Sequence, residues 1–283
     1  MLVELIILAA VLIHSDEKKA TLVEPPTETT DKVVSGSKQK TKNKKQTQID
    51  TTHWISSEAE ISFPILRYHS IAESDGSLLK IPPAEFEAHM NWLKENDYYT
   101  LSPEEAKIVL SRKIKPAEKI IWLTFDGGSL DNYQEGFPIL KDLELKASIN
   151  VVQDKLETNT YCNEHDMKEM VNSGYVSIGS HTVHQFDLDT MAFTDQLAEL
   201  SESKKRLDQT LNQKTMLLSY PNGKYNADSI EAAQEAGYTL ALTMEAGLAR
   251  ASDGLYALKR IPVSPGLDGA SFGKFIEDYL LYH

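Results

Sequence analysis

Ile120-Ile121-Trp122-Leu123-Thr124-Phe125-Asp126-Gly127-Gly128 is an apolar, β-rich run that ends in a carboxylate and two glycines. A strand covered on both faces reads as such a continuous run rather than as an alternation. Residues 176–178 repeat the form and lead into Ser180-His181-Thr182-Val183-His184-Gln185. An α/β protein displays its reactive groups on loops beyond the carboxyl ends of its strands, where Asp126 and His181 fall. Further runs of this kind occupy residues 61–67, 147–152, 216–220, 239–243 and 258–263, with a shorter one at 98–100. Stretches with helical spacing separate them, at 83–96, 103–111, 132–143, 164–173, 193–212 and 227–236. Phe86, Met90 and Leu93 recur at i, i+4 and i+7, one face of an amphipathic helix. Pro83 suits a first helical turn, and Gly174 and Gly237 stand where helices end.

Repeated βα units imply a mainly parallel sheet, and about eight strands in roughly 220 residues favour closure into a barrel. The expected fold class is therefore α/β, a distorted (β/α) barrel of about seven to eight parallel strands in a single domain over residues 61–283. Ahead of it, residues 15–60 are rich in Lys, Thr and Ser and poor in aromatics, a disordered spacer by composition. Residues 2–13 are apolar except for Glu4, too short to span a bilayer with confidence, so residues 1–14 read as an export signal or short membrane anchor. No Lys or Arg precedes that run, which leaves a frayed apolar terminus as the other reading.

The net charge is −13, and residues 1–50 are nearly neutral, so the folded part carries the acidity. So acidic a domain is not built for nucleic acid, whose phosphates are bound through Lys and Arg. A single cysteine, Cys162, allows no internal disulfide and reads as an inert thiol. Trp54, Trp92 and Trp122 read as packing residues, and Asp131 before Asn132 as a helix N-cap. His53, His89, His165 and His283 show no ligand spacing.

Five motifs in order carry a family resemblance: Ile65-Leu66-Arg67-Tyr68-His69-Ser70, Leu123-Thr124-Phe125-Asp126-Gly127-Gly128-Ser129-Leu130-Asp131-Asn132, Ile178-Gly179-Ser180-His181-Thr182-Val183, Ser219-Tyr220-Pro221-Asn222-Gly223-Lys224-Tyr225-Asn226 and Leu258-Lys259-Arg260-Ile261. The chain resembles the polysaccharide deacetylases (NodB-homology, carbohydrate esterase family four) over roughly residues 61–275. The early Tyr-His motif is similar to that of the circularly permuted branch.

The resemblance implies removal of acetyl groups from N-acetylglucosamine polymers, peptidoglycan or acetylated plant polysaccharides by metal-activated water, with zinc the usual metal. Asp126 then falls at the general base, His69 at the general acid, and His181 at the first metal histidine. Asn222, in the motif opened by Tyr220, falls where a backbone N–H faces the oxyanion, and Arg260 where a basic residue tethers the base. Two positions depart from the pattern. Gly127 stands in place of the metal-binding aspartate and Gln185 in place of the second histidine, with His184 one position early as a stand-in ligand.

Neither glycine nor a neutral amide replaces the lost donors on zinc. The expectation is a hydrolase of N- or O-acetylated cell-wall or extracellular glycan with a degraded metal site. Its location would be extracytoplasmic, secreted or anchored at the bacterial surface, and its state a monomer. The alternative is an inactive relative that binds glycan or serves as a surface scaffold.

Overall fold

The computed structural model describes residues 49–282. Eight parallel strands carry the architecture: β1 (Ile65–Tyr68), β2 (Tyr99–Thr100), β3 (Ile120–Gly127), β4 (Ala147–Val151), β5 (Val176–Ser180), β6 (Leu217–Ser219), β7 (Leu240–Ala246) and β8 (Leu258–Pro262). Their order is β1-β8-β7-β6-β5-β4-β3, and β3 pairs back onto β1, so seven strands close a barrel. The eighth, β2, pairs with Ile120–Ile121 before β1 takes over along β3 at Trp122. It is the outside strand of a distorted (β/α) barrel, as the alternation of runs implies.

Period-2 geometry assigns the side chains of β3. Ile121, Leu123 and Phe125 pack outward against the helices with Leu66, Tyr68, Phe86 and Ile149. Trp122, Thr124 and Asp126 point the other way, and Trp122 joins Ile65, Leu217, Leu240 and Leu258 in a second cluster. Above Trp122 the interior turns polar. The Trp122 indole donates to Ser148 Oγ at 2.9 Å, and Thr124 Oγ1 donates to the Leu66 carbonyl at 2.7 Å. Asp126, two residues further on, reaches the mouth.

Helices follow the spacing read from the sequence. Asn163 caps Glu164–Ser173 through a reciprocal capping box with Asp166, and Gly174 ends it at φ +82°. Three features differ from expectation. Residues 132–143 form a π-helical turn (Asn132–Gly136) followed by a short α-helix (Phe137–Asp142), and Asp131 makes no cap hydrogen bond there. A helix over Gly269–Tyr282 was not foreseen. The last residues of the stretch read as spacer are ordered, since Ile55–Ser56 pairs antiparallel with Ile114–Lys115 and Glu60 binds Ser252. The proposed signal or anchor over 1–14, and the spacer up to residue 48, lie outside the described residues.

Candidate active site

Asp126 and Arg260 meet at the barrel mouth, on strands β3 and β8, although 134 residues separate them in the chain. Arg260 is 1% exposed and Asp126 6%. They form a two-pronged pair, with Arg260 Nη2 to Asp126 Oδ2 at 2.6 Å and Nη1 to Oδ1 at 3.0 Å. Arg260 also donates to the Thr243 carbonyl, Thr124 Oγ1 and Ser219 Oγ, and Asn150 Nδ2 donates to Asp126 Oδ1 at 2.9 Å. Ionised partners can be this deep only because the fork geometry satisfies both at once. Burial pushes the Asp126 carboxyl up, but the Arg260 guanidinium outweighs it and holds the group well below the usual carboxylate range.

His69 stands on the turn after β1, and its neighbours fix that turn. Its carbonyl accepts from Asn132 Nδ2 at 2.7 Å. The Asp131 carboxylate accepts from Ser70 Oγ, the Ile71 N–H and Ser129 Oγ at 2.6–3.0 Å. Asp131 is thus a clamp between the His69 turn and the segment after β3, not the N-cap that its position before Asn132 suggests. Burial lowers the His69 imidazole to about 4, with Arg67, Arg260 and His181 adding to the effect and Asp126 opposing it.

This has a measurable consequence. A histidine that folds neutral contributes nothing above its unfolded value near 6.5. Below that the unfolded chain takes up a proton that the native one refuses, so stability falls from about pH 6.5 down to about 4. The expected loss from His69 is about 3 kcal/mol over that window, read as the difference between wild type and His69→Gln in denaturant titrations at several pH values.

His181 is buried beside this pair, and its Nδ1 lies 2.8 Å from the Ser219 carbonyl. A carbonyl only accepts, so Nδ1 carries the hydrogen and Nε2 presents its lone pair. Burial holds this imidazole below its ordinary value, and Arg260 and Lys155 push the same way.

The two remaining metal positions supply no such donor. Gly127 has φ +104°, a conformation that suits glycine, and open space where a side chain would begin. Gln185 turns its amide oxygen to the Lys155 ammonium. His184 is engaged elsewhere: Nδ1 lies 2.7 Å from Glu199 Oε2 and Nε2 3.2 Å from Asp154 Oδ2. Among the described residues no three His, Cys, Asp or Glu side chains stand together as a ligand set. A divalent metal needs about three such donors in fixed geometry, and the residues present do not fit one.

Asn222 has the left-handed conformation (φ +53°), with its side chain on Asp187 Oδ1 at 2.7 Å. The Tyr220 side chain is fully buried, stacked on Tyr225, and donates to the Tyr256 carbonyl. Any contact between Tyr220 and a ligand at the mouth therefore comes through its main chain.

Sequence reasoning did not single out Arg67, Lys155 or Phe186. Arg67 was visible beside the Tyr-His motif, two residues from Ile65 and so on the inner face of β1. Phe186 is 53% exposed and stacks on the His184 ring at 5.0 Å, with Glu199 and Asp154 holding that ring in place.

A sequence profile of polysaccharide deacetylases matches residues 113–241. YxkH of Bacillus subtilis, assigned to the polysaccharide deacetylases, is 42% identical over 244 residues, covering 84% of this chain and 86% of that protein. The poly-β-1,6-N-acetyl-D-glucosamine N-deacetylase of Staphylococcus aureus is 22% identical over 197 residues, 65% of this chain and 68% of that one. The structure of Streptococcus pyogenes deacetylase PplD, in complex with acetate, superposes with a TM-score of 0.74 at 33% identity, covering 77% of this chain and 99% of that chain. At 42% identity over 84% of its length, the match to YxkH shows that the chain belongs to the polysaccharide deacetylase family.

Proposed function

We propose that the chain hydrolyses acetyl groups on an N-acetylated glycan outside the cytoplasm, at the mouth framed by His69, Asp126, His181 and Arg260. The observation that carries this reading is the buried, two-pronged Asp126–Arg260 pair at the mouth, near enough to His69 and His181 for the Asp126 charge to act on both imidazoles. The relative whose name states its substrate acts on poly-β-1,6-N-acetyl-D-glucosamine. A β-linked N-acetylglucosamine polymer is accordingly the substrate class, with the exposed face of Phe186 available to stack on a sugar ring.

Electrostatics divide the labour differently from the family assignment. Asp126 is too weak a base to take a proton from water, because Arg260 stabilises its charged form. His69 is neutral at pH 7 and is the stronger acceptor of the two. As the water oxygen bonds to the acetyl carbon, His69 takes its proton, and Asp126 stabilises the imidazolium that forms. The same proton then passes to the departing nitrogen as the C–N bond breaks, leaving acetic acid and the amine, which at neutral pH become acetate and an ammonium group. Deacetylases of the family generally depend on a divalent metal, and no step here is assigned to one.

Incubating the full chain with an N-acetylglucosamine oligomer and measuring free acetate tests the reading. Acetate release that is lost in Asp126→Asn is the expected result. Oligomer binding without any release would establish the non-hydrolytic role instead. Because His69 must be unprotonated, kcat/KM is expected to hold at neutral pH and to fall only as the pH approaches about 4.

A further inference from the structure

We infer that the ammonium of Lys155 is the working cation of this site: it stands where the family places a divalent metal and binds the acetyl oxygen of the substrate and the carboxylate of released acetate. This rests on the deacetylase reading above.

The backbone brings Lys155 to the mouth. After β4 the chain runs beside the His181 loop, with the Gln153 N–H on the Thr182 carbonyl at 3.2 Å and the Asp154 N–H on the Val183 carbonyl at 3.0 Å. One residue later Lys155 turns its ammonium onto Gln185 Oε1, at the position of the second metal histidine. The nitrogen also lies 5.2 Å from the centroid of the Tyr161 ring, so one side of it rests on an aromatic face. Its charge is felt at His181, whose Nδ1 bond to the Ser219 carbonyl leaves Nε2 with its lone pair.

The surroundings select for oxygen ligands rather than for a metal ion. Arg67 and Arg260 already bring two positive charges to Asp126, whose own charge Arg260 neutralises. A divalent cation placed beside His181 would be repelled by Arg67, Arg260 and Lys155, whose charges reach the imidazoles of the site. Two buried donors are also without acceptors among the described residues, Arg67 Nε and Gln153 Nε2. Unmatched donors call for an acceptor, and a carbonyl oxygen or carboxylate supplies one. A compact ammonium with three donors can hold Gln185 and a ligand oxygen together. As negative charge grows on the acetyl oxygen during attack, a fixed positive charge in a half-buried cleft stabilises it.

The experiment uses the full chain treated with a chelator, with Lys155→Met and Lys155→Arg beside wild type. Acetate is titrated into each by calorimetry, and acetyl release from an N-acetylglucosamine oligomer is measured with and without added zinc. The expected result is acetate binding by chelated wild type, weakened about 10-fold or more in Lys155→Met and largely kept in Lys155→Arg. The kcat/KM of Lys155→Met is expected to fall about 10²–10³-fold, with no response of wild type to chelator. Unchanged acetate affinity in Lys155→Met, or release that appears only with zinc and equally in both proteins, would overturn the assignment while leaving the deacetylase reading in place. Lysine-dependent acetate binding with no release from the oligomer would instead overturn the deacetylase reading and support the cation site.

Discussion

Arg260→Met is expected to destabilise the protein by about 3–5 kcal/mol, because it strands the Asp126 carboxylate in a buried site without its counter-charge. The thermal midpoint should drop by on the order of 10 °C, measured by calorimetry on the full chain. The paired variant Asp126→Asn with Arg260→Met should recover much of that loss, since no unbalanced charge remains. The size of the effect follows from burial: Arg260 Nε, Nη1 and Nη2 all donate to acceptors inside the barrel, and both partners are buried. A drop below about 1 kcal/mol would mean that water reaches the pair, which would then behave like an exposed one.

His69→Ala is expected to lower kcat/KM for acetyl release by about 10²–10⁴-fold, the usual contribution of a positioned base. Its fold should survive, because Asn132 holds the His69 turn through the main-chain carbonyl rather than the ring. Circular dichroism and the thermal midpoint check that separation. A residual rate near wild type would return the proton to Asp126, against the effect of Arg260 on that carboxylate.

The fold was legible where burial leaves a mark on composition. β5 starts at Val176 as its apolar run does and extends two residues past it to Ser180, and the Glu164–Ser173 helix is announced by Asn163 and Gly174. Gly269–Tyr282 was missed for a physical reason. Gly269 and Gly273 weaken helix propensity, and their role shows only in packing. A Cβ on Gly273 would lie 2.2 Å from the Trp92 indole, so the glycine lets the helix settle on that ring. Phe272 then stacks on His89 at 4.2 Å, and His89 Nε2 lies 2.6 Å from the Leu267 carbonyl, a packing role for a histidine without ligand spacing.

In the site, short motifs at strand ends carried the information. Asp126, His181 and Arg260 each follow or sit within a barrel strand, where one side chain in two faces inward. Lys155 ends a short 3-10 turn (Gln153–Lys155) and Phe186 lies on a loop, and nothing in their sequence context distinguishes them from surface residues. Only the backbone pairing of residues 153–154 with Thr182–Val183 brings Lys155 to Gln185. Asp131 was visible, but its partners Ser70 and Ile71 lie some sixty residues away in the chain, beyond the reach of local capping rules.

The most direct test of this account is a joint measurement on one sample of the full chain: metal content by elemental analysis, and acetate released from an N-acetylglucosamine oligomer before and after chelation. The account predicts acetate release that chelation does not diminish, from protein holding far less than one metal ion per chain. One tightly held zinc per chain, with release abolished on its removal and restored on its return, would contradict it.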